Sequence, residues 1–329
     1  MNLKRIDAID INYVDSAADP TLKVGNTSGA GEARLYAGHD EQILDGFFEL
    51  DKVDCFFMLK VDLLNYMEDS KDEYFNPSRD YREDISQYYQ TNLENTQNIV
   101  DDKIKLFFRK KYDSQCRYYL VLESVSGNRK NYAYLRNICL PRMTVITFVK
   151  FEDEKTHKKY IYLKPIFYID PTKKEAIQEQ KEIEASHPQN EVEEKVAKEK
   201  YRKQQTKYRL ELLDKMPSCL ITKVSDDRLL VACHVKPYAD CDCDEEKYDV
   251  KNGIVLTPTY HTLFDLGFIS FSPEGNLLIS PFLSNLNKQR LNLREHTSYR
   301  LQSGTEKYMK YHREKIFNTI KFDELEFVD

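Results

Sequence analysis

A strongly charged segment divides this sequence into two parts and limits how the chain can fold. Residues 173–200 are rich in Lys, Glu and Gln, poor in large apolar side chains and interrupted by Pro188. The chain has 329 residues, whereas a single hydrophobic core usually stops growing near ~250 to 300 residues. We therefore expect two compact domains with a connector, and a helix that resumes after the proline.

The part that precedes the charged segment consists largely of short runs of strand-forming residues. These runs are CFFMLKVDLL, IKLFFRKKY, CRYYLVLESV, MTVITFVKF and KKYIYLKPIFYI. The sequence between the first two runs predicts a loop followed by a helix. We therefore predict an α+β protein with a β-rich domain over residues 1–172, a charged helical linker over 173–212 and a second domain over 213–329.

Composition excludes several classes of protein. The net charge of −6 gives no overall basic character, so contacts to nucleic acid would have to come from local patches. No long apolar run occurs, so neither secretion nor a membrane span is indicated, and we expect a cytoplasmic location. The glycine-rich segment 25–38 lacks the ending of a phosphate-binding loop, and we expect no organic cofactor. The seven cysteines are odd in number and irregularly spaced, which argues against a disulfide framework.

The most informative stretch covers residues 219–280. It contains a short strand pattern LLVACHV, a polar loop, a second strand pattern NGIVL and a short helix pattern PTYHTLFDLG, followed by a hairpin with a Pro-Glu-Gly turn. The predicted order is strand, strand, helix. His234 lies on the first strand, Asn252 opens the second and His261 lies on the helix.

These three residues suit the hydrolysis of a phosphodiester. That reaction requires a base to deprotonate water and a cation to neutralise charge on the phosphate and the leaving oxygen. His234 would activate the water, and His261 would hold one divalent ion. Asn252 would bridge the loop through its amide and keep His234 in line, or else join the ligands of the metal.

The stretch resembles the HNH (ββα-metal) endonucleases, and specifically the branch of type II restriction endonucleases. The likeness covers about residues 200–320 and rests on ordered matches at Gln205, Tyr208, Arg209, Cys219, Ile221, Thr222, Cys233, His234, Val235, Pro237, Asn252, Gly253, Ile254, His261, Leu263, Phe264, Asp265, Gly267, His312 and Arg313. It implies a C-terminal HNH nuclease domain with Mg²⁺ as cofactor, for which Mn²⁺ can substitute.

One position departs from the family pattern. Many HNH sites carry an aspartate directly before the base histidine as a second metal ligand, whereas this chain has Cys233. A thiol is a poor ligand for Mg²⁺. Asp265 lies four residues after His261 and could face the same metal across one helical turn, although helix packing or pairing with an arginine would explain it equally well.

The resemblance implies a site-specific endonuclease that cleaves double-stranded DNA as a homodimer, because one HNH site cuts one strand. Residues 285–320 contain eight Lys or Arg against three Glu and form a candidate surface for the phosphate backbone, or else a partly paired helix face. One alternative is a modification-dependent or phage-defence nuclease gated by its N-terminal domain. Others are a DNA-binding protein with a degenerate HNH domain and a nuclease for structured RNA.

Overall fold

The computed structural model describes residues 3–25, 34–168 and 171–320. Most of the glycine-rich segment and the last nine residues of the predicted C-terminal domain lie outside the described residues. The chain divides into two compact units, of which the first runs to Tyr168 and the second ends at Ile320. No helix in the described ranges is both long and apolar enough to cross a membrane.

The N-terminal unit combines two sheets with helices. A five-stranded sheet has the order β1-β7-β8-β3-β4, with β3 and β8 parallel and the other pairs antiparallel, and a three-stranded antiparallel sheet has the order β2-β6-β5. The elements are β1 (Leu3–Asn12), β2 (Arg34–Gly38), α1 (Glu41–Phe48), β3 (Val53–Leu59), α2 (Lys60–Phe75), α3 (Ser86–Gln97), β4 (Lys103–Leu106), β5 (Phe108–Tyr112), β6 (Tyr118–Leu122), α4 (Asn128–Arg136), β7 (Thr144–Asp153) and β8 (Lys159–Phe167).

The helix α2 corrects one of the predicted strand runs. The run CFFMLKVDLL is predicted to form a single strand, but β3 ends at Leu59 and α2 begins at Lys60. The buried residues Leu63, Tyr66, Met67 and Tyr74 repeat at intervals of three, one and seven, which places them on one helical face. The first turn of α2 continues the apolar run of β3, and no capping side chain marks the start of the helix. The predicted loop and helix before β4 are confirmed by α3.

The C-terminal unit begins with two helices and continues with the predicted strands. Its elements are α5 (Pro171–Ala185), α6 (Glu191–Lys215), β9 (Val231–His234), α7 (Asp244–Tyr248), β10 (Gly253–Leu256), α8 (Pro258–Asp265), β11 (Ile269–Phe271), β12 (Leu277–Ile279), α9 (Asn285–Arg290) and α10 (Glu306–Tyr311), after which His312–Ile316 form a π-helical turn. The segment interpreted as a linker thus forms α5 and most of α6. Tyr208 and Leu212 of α6 are buried in the core of this unit.

The strand, strand, helix order is confirmed at the informative stretch. β9 and β10 pair antiparallel, with His234 opposite Gly253. Pro258 opens α8, where its fixed φ suits the first helical turn. Gly267 follows the helix with a φ of 68° and would place a side chain 2.0 Å from the carbonyl oxygen of Ile316, so this turn requires glycine. The hairpin of β11 and β12 is also present.

Candidate active site

The imidazole of His234 is held from two sides. Its Nε2 donates to the backbone carbonyl of Lys247 over 2.7 Å. A carbonyl can only accept, so the neutral ring carries its proton on Nε2 and has a lone pair on Nδ1. The ring also stacks on Tyr208, with the centroids 4.5 Å apart and the planes 9° from parallel. Both contacts fix the orientation of a group that can accept a proton at Nδ1.

The surroundings of His234 also favour its neutral form. Burial lowers the pKa of His234 below its usual value, and the nearby His261 lowers it further. The Lys247 carbonyl and the carboxylate of Asp265 oppose this by stabilising the cation. Because burial is the largest influence on this pKa, the ring is neutral at pH 7 and available as a base.

The backbone of β10 lies unusually close to α6 at this point. A Cβ atom on Gly253 would lie 2.5 Å from the hydroxyl of Tyr208 and 2.7 Å from a methyl of Leu212. Glycine is therefore needed for close approach rather than for a special φ. The Tyr208 hydroxyl uses this closeness to donate to the carbonyl of Asn252 over 3.0 Å. The same tyrosine thus supports both the His234 ring and the start of β10.

Asn252 is fully buried and joins separate parts of the loop between β9 and β10. Its Oδ1 accepts from the backbone N–H of Lys236 over 2.7 Å, and its Nδ2 donates to the carbonyls of Lys236 and Glu246, each over 3.1 Å. Both hydrogens of the amide are thereby directed at the loop. This is the bridging arrangement predicted for Asn252, and its contacts lie within the loop, with backbone groups and with the Cys241 sulfur.

His261 and Asp265 lie one turn apart on α8 and face each other. Nε2 of His261 is 3.1 Å from Oδ2 of Asp265, and the side chains are 20% and 44% exposed. Two adjacent ligands of an octahedral ion bound at about 2.1 Å lie about 3 Å apart, so this spacing fits a divalent cation. Imidazole nitrogen and carboxylate oxygen are also suitable donor types. The pair fits a metal that takes its other ligands from water and phosphate.

The donor pair lies beside His234. Both His261 and Asp265 influence the pKa of His234 through their charge, so the three side chains are close enough to interact electrostatically. Within the described ranges, no group of three or more His, Cys, Asp or Glu side chains is arranged to hold a metal ion.

Cys233 belongs to the buried hydrophobic core of this unit. It is 1% exposed, and its thiol donates weakly to the carbonyl of Val231 over 3.4 Å. Burial raises the pKa of the Cys233 thiol well above its usual value, and the charge of Asp265 raises it further. The side chain is therefore a neutral packing residue. It does not replace the aspartate that many HNH sites carry here.

His312 supports the helix that carries the donor pair, a role that the sequence analysis did not assign. Its Nε2 donates to the carbonyl of Phe264 over 3.0 Å, and its Nδ1 lies 2.9 Å from the hydroxyl of Ser270. The imidazole also stacks on the Phe264 ring at a centroid distance of 3.7 Å. His312 thus holds the end of α8 next to Asp265, and the neutral ring uses both of its nitrogens.

Stability at acidic pH is expected to depend on His312. Burial lowers the pKa of His312 to about 4, whereas an unfolded histidine titrates near ~6.5. The unfolded state therefore binds the proton first, and the free energy of unfolding is expected to fall by about 3 kcal/mol as the pH decreases from about 6.5 to 4. Urea unfolding of wild type and His312→Gln over this range would show a steeper pH dependence in wild type. Equal slopes, or an NMR titration of His312 near pH 6.5, would contradict the expectation.

The basic region 285–320 is partly neutralised. Lys288 pairs with Glu295 over 3.3 Å, and Lys310 pairs with Glu314 over 3.8 Å. Lys307 lies 3.3 Å from Glu246 in the loop that Asn252 bridges. These pairs agree with the alternative of a partly paired face and reduce the charge that this region can present to DNA.

Two antiparallel strands and a helix bring together an oriented imidazole and a histidine-carboxylate pair here, an arrangement similar to that of the ββα-metal nucleases. Residues 219–272 match a family model described as HNH endonuclease. The matched segment contains His234, Asn252, His261 and Asp265. The match supports an HNH nuclease, and with it the general assignment as an endonuclease and a hydrolase that acts on DNA. No curated protein matches the chain.

Proposed function

We propose that this protein is a site-specific, type II restriction endonuclease that hydrolyses double-stranded DNA with one divalent metal ion. The observation that carries the proposal is the hydrogen bond from Nε2 of His234 to the Lys247 carbonyl. It leaves Nδ1 of an oriented, neutral imidazole free to accept a proton beside His261 and Asp265.

The residues of the site divide the reaction between them. Nδ1 of His234 takes a proton from the attacking water, and the lowered pKa of this ring keeps it unprotonated beforehand. Asn252 and Tyr208 fix the backbone next to His234 through their hydrogen bonds. His261 and Asp265 would hold the metal. Mg²⁺ bound there supplies positive charge to the scissile phosphate and to the departing 3′ oxygen, and Mn²⁺ can supply the same charge.

In this proposal the two units have different tasks. The residues from 213 onward cut, with the basic region 285–320 as a surface for the phosphate backbone, while residues 1–172 read the DNA sequence and residues 173–212 connect them. A homodimer would place two sites on opposite strands of a palindrome, because each site cuts one strand. Light scattering of the purified protein with and without a DNA duplex would measure the number of chains.

The test is digestion of a mixed panel of plasmid and phage DNA, methylated and unmethylated, with Mg²⁺, Mn²⁺ or EDTA. Discrete fragments that disappear with EDTA are expected from a site-specific nuclease. Cutting of methylated DNA alone would favour a modification-dependent enzyme. Binding without cutting under every condition would favour a DNA-binding protein with a degenerate HNH domain, and cutting of structured RNA instead of DNA would reject the substrate proposed here.

A further inference from the structure

The N-terminal unit contains a cavity of about 580 Å³ between the α3–β4 connection and the start of α4. This volume lies within the usual range for pockets that bind small molecules, roughly 300 to 1,000 Å³. Its lining includes three lysines and one aspartate, namely Lys103, Lys105, Lys130 and Asp101. The cavity is therefore positively charged within a chain whose net charge is −6. Such a lining suits an anionic ligand.

The walls of the cavity are tied together by side chains that bind backbone. Nδ2 of Asn131 donates to the carbonyl of Lys105 over 2.8 Å. Asn128, which is 2% exposed, donates to the carbonyl of Phe107 over 2.8 Å and accepts from its N–H over 3.1 Å. Lys60 donates to the carbonyl of Ile99 over 2.8 Å. The cavity is thus formed before any ligand enters, which lowers the entropic cost of binding.

The rim offers apolar surface as well as charge. Val100, one of the lining residues, is 92% exposed, so its side chain is accessible to a ligand. Tyr134 contributes an aromatic ring to the same lining. Phosphate could be attracted by the charge of the lysines but would leave this apolar surface uncovered. A ligand that combines a phosphate with a flat, weakly polar ring system would use both.

We propose that this cavity binds a nucleotide, with the phosphate on Lys103, Lys105 and Lys130 and the base against Val100 and Tyr134. Either a free mononucleotide or one nucleotide within a DNA strand would present this chemistry. Binding of a nucleotide within a DNA strand rests on the function proposed above, whereas binding of a free mononucleotide does not. The cavity would then be the place where the N-terminal unit holds the nucleic acid or senses a nucleotide.

The test measures binding to the full-length protein in EDTA, so that the outcome does not depend on cleavage. Inorganic phosphate, the four deoxynucleoside monophosphates and a short single-stranded and double-stranded DNA are titrated calorimetrically. The variants are Lys105→Gln, Lys130→Gln and Val100→Ser, and Lys71→Gln, at an exposed position on α2, serves as the control. The four substituted residues, including the control, are exposed, so all of the variants are expected to fold.

We expect a mononucleotide to bind wild type, and each lysine variant to weaken this binding about fivefold to tenfold, while Lys71→Gln does not. Val100→Ser is expected to weaken the binding of the nucleotides but not the binding of inorganic phosphate. A further outcome is that DNA is the only ligand that binds and that each lysine variant lowers the salt dependence of DNA binding by about one ion. In that case the nucleotide that the cavity binds belongs to a DNA strand. No binding by wild type, equal binding by cavity and control variants, or phosphate that binds as tightly as nucleotides would overturn the proposal. DNA that stays uncut in Mg²⁺ would instead contradict the nuclease assignment.

Discussion

Replacing His234 with asparagine is expected to lower the rate of metal-dependent DNA hydrolysis by about 10²- to 10⁴-fold, the usual contribution of a positioned general base. Asparagine retains a polar side chain but cannot accept the proton of the attacking water at neutral pH. The remaining rate would come from the charge of the metal and from binding of the substrate. The measurement is the single-turnover rate of cutting with Mg²⁺ at pH 7.5, with the protein in excess over DNA.

The matched control is His187→Asn. His187 is exposed and has a φ of 50°, a conformation that asparagine tolerates, so this variant is expected to cut at the wild-type rate. DNA binding in EDTA should be similar for both variants and wild type, since neither change removes a positive charge at neutral pH. A His234→Asn protein that is folded and cuts within a factor of three of wild type would show that another group accepts the proton.

Replacing Asn252 with alanine is expected to lower the free energy of unfolding of the C-terminal unit by about 4 kcal/mol. The amide of Asn252 satisfies one N–H and two carbonyls of the loop, and its side chain is fully buried. Alanine would leave these backbone groups without their partner in a place that water does not reach, at about 1 to 3 kcal/mol each before the loop relaxes. The relaxed loop would also release the carbonyl of Lys247 from Nε2 of His234, so cutting should fall as well.

Hydrogen exchange of the β9 and β10 amides measures this effect in the unit concerned, together with urea unfolding of the whole chain. Asn287→Ala is the control, because Asn287 is exposed on the short helix α9 of the same unit and alanine favours helix. Exchange that accelerates only in Asn252→Ala would support the bridging role. Unchanged exchange together with lost cutting would indicate that Asn252 acts on the reaction directly.

The strand, strand, helix unit could be predicted because its determinants are local. The strand pattern LLVACHV, the Asn-Gly pair, Pro258 and Gly267 lie within 39 residues of the sequence, and each indicates a strand, a turn or the end of a helix. The positions of His234 and His261 follow directly from that order. Asp265 was recognisable as a candidate because residues four apart on a helix face each other.

What could not be predicted depends on contacts between residues distant in sequence. Tyr208 precedes His234 by 26 positions, and only the register of α6 against β9 and β10 brings its ring onto the imidazole. The i, i+4 spacing of Tyr208 and Leu212 is typical of one face of a helix, but it does not show which side chains lie against that face. His312 lies still further along the chain, and the backbone carbonyl of Phe264 that it contacts has no signature in a sequence. The helix α2 was missed for a different reason, because its first turn continues the apolar run of β3 and no capping side chain marks its start.

The loop between β9 and β10 is held by hydrogen bonds near its two ends, and the residues between these points are exposed. Asn252 holds Lys236 at the exit from β9 and Glu246 near the return, while residues 242–245 face solvent. Extra residues inserted at 242–243, before α7 begins, would leave both anchor points of Asn252 in place, and doubling the length of a flexible loop costs only about 0.6 kcal/mol. Over evolutionary time, this part of the domain can therefore change in length and sequence while the imidazole keeps its position.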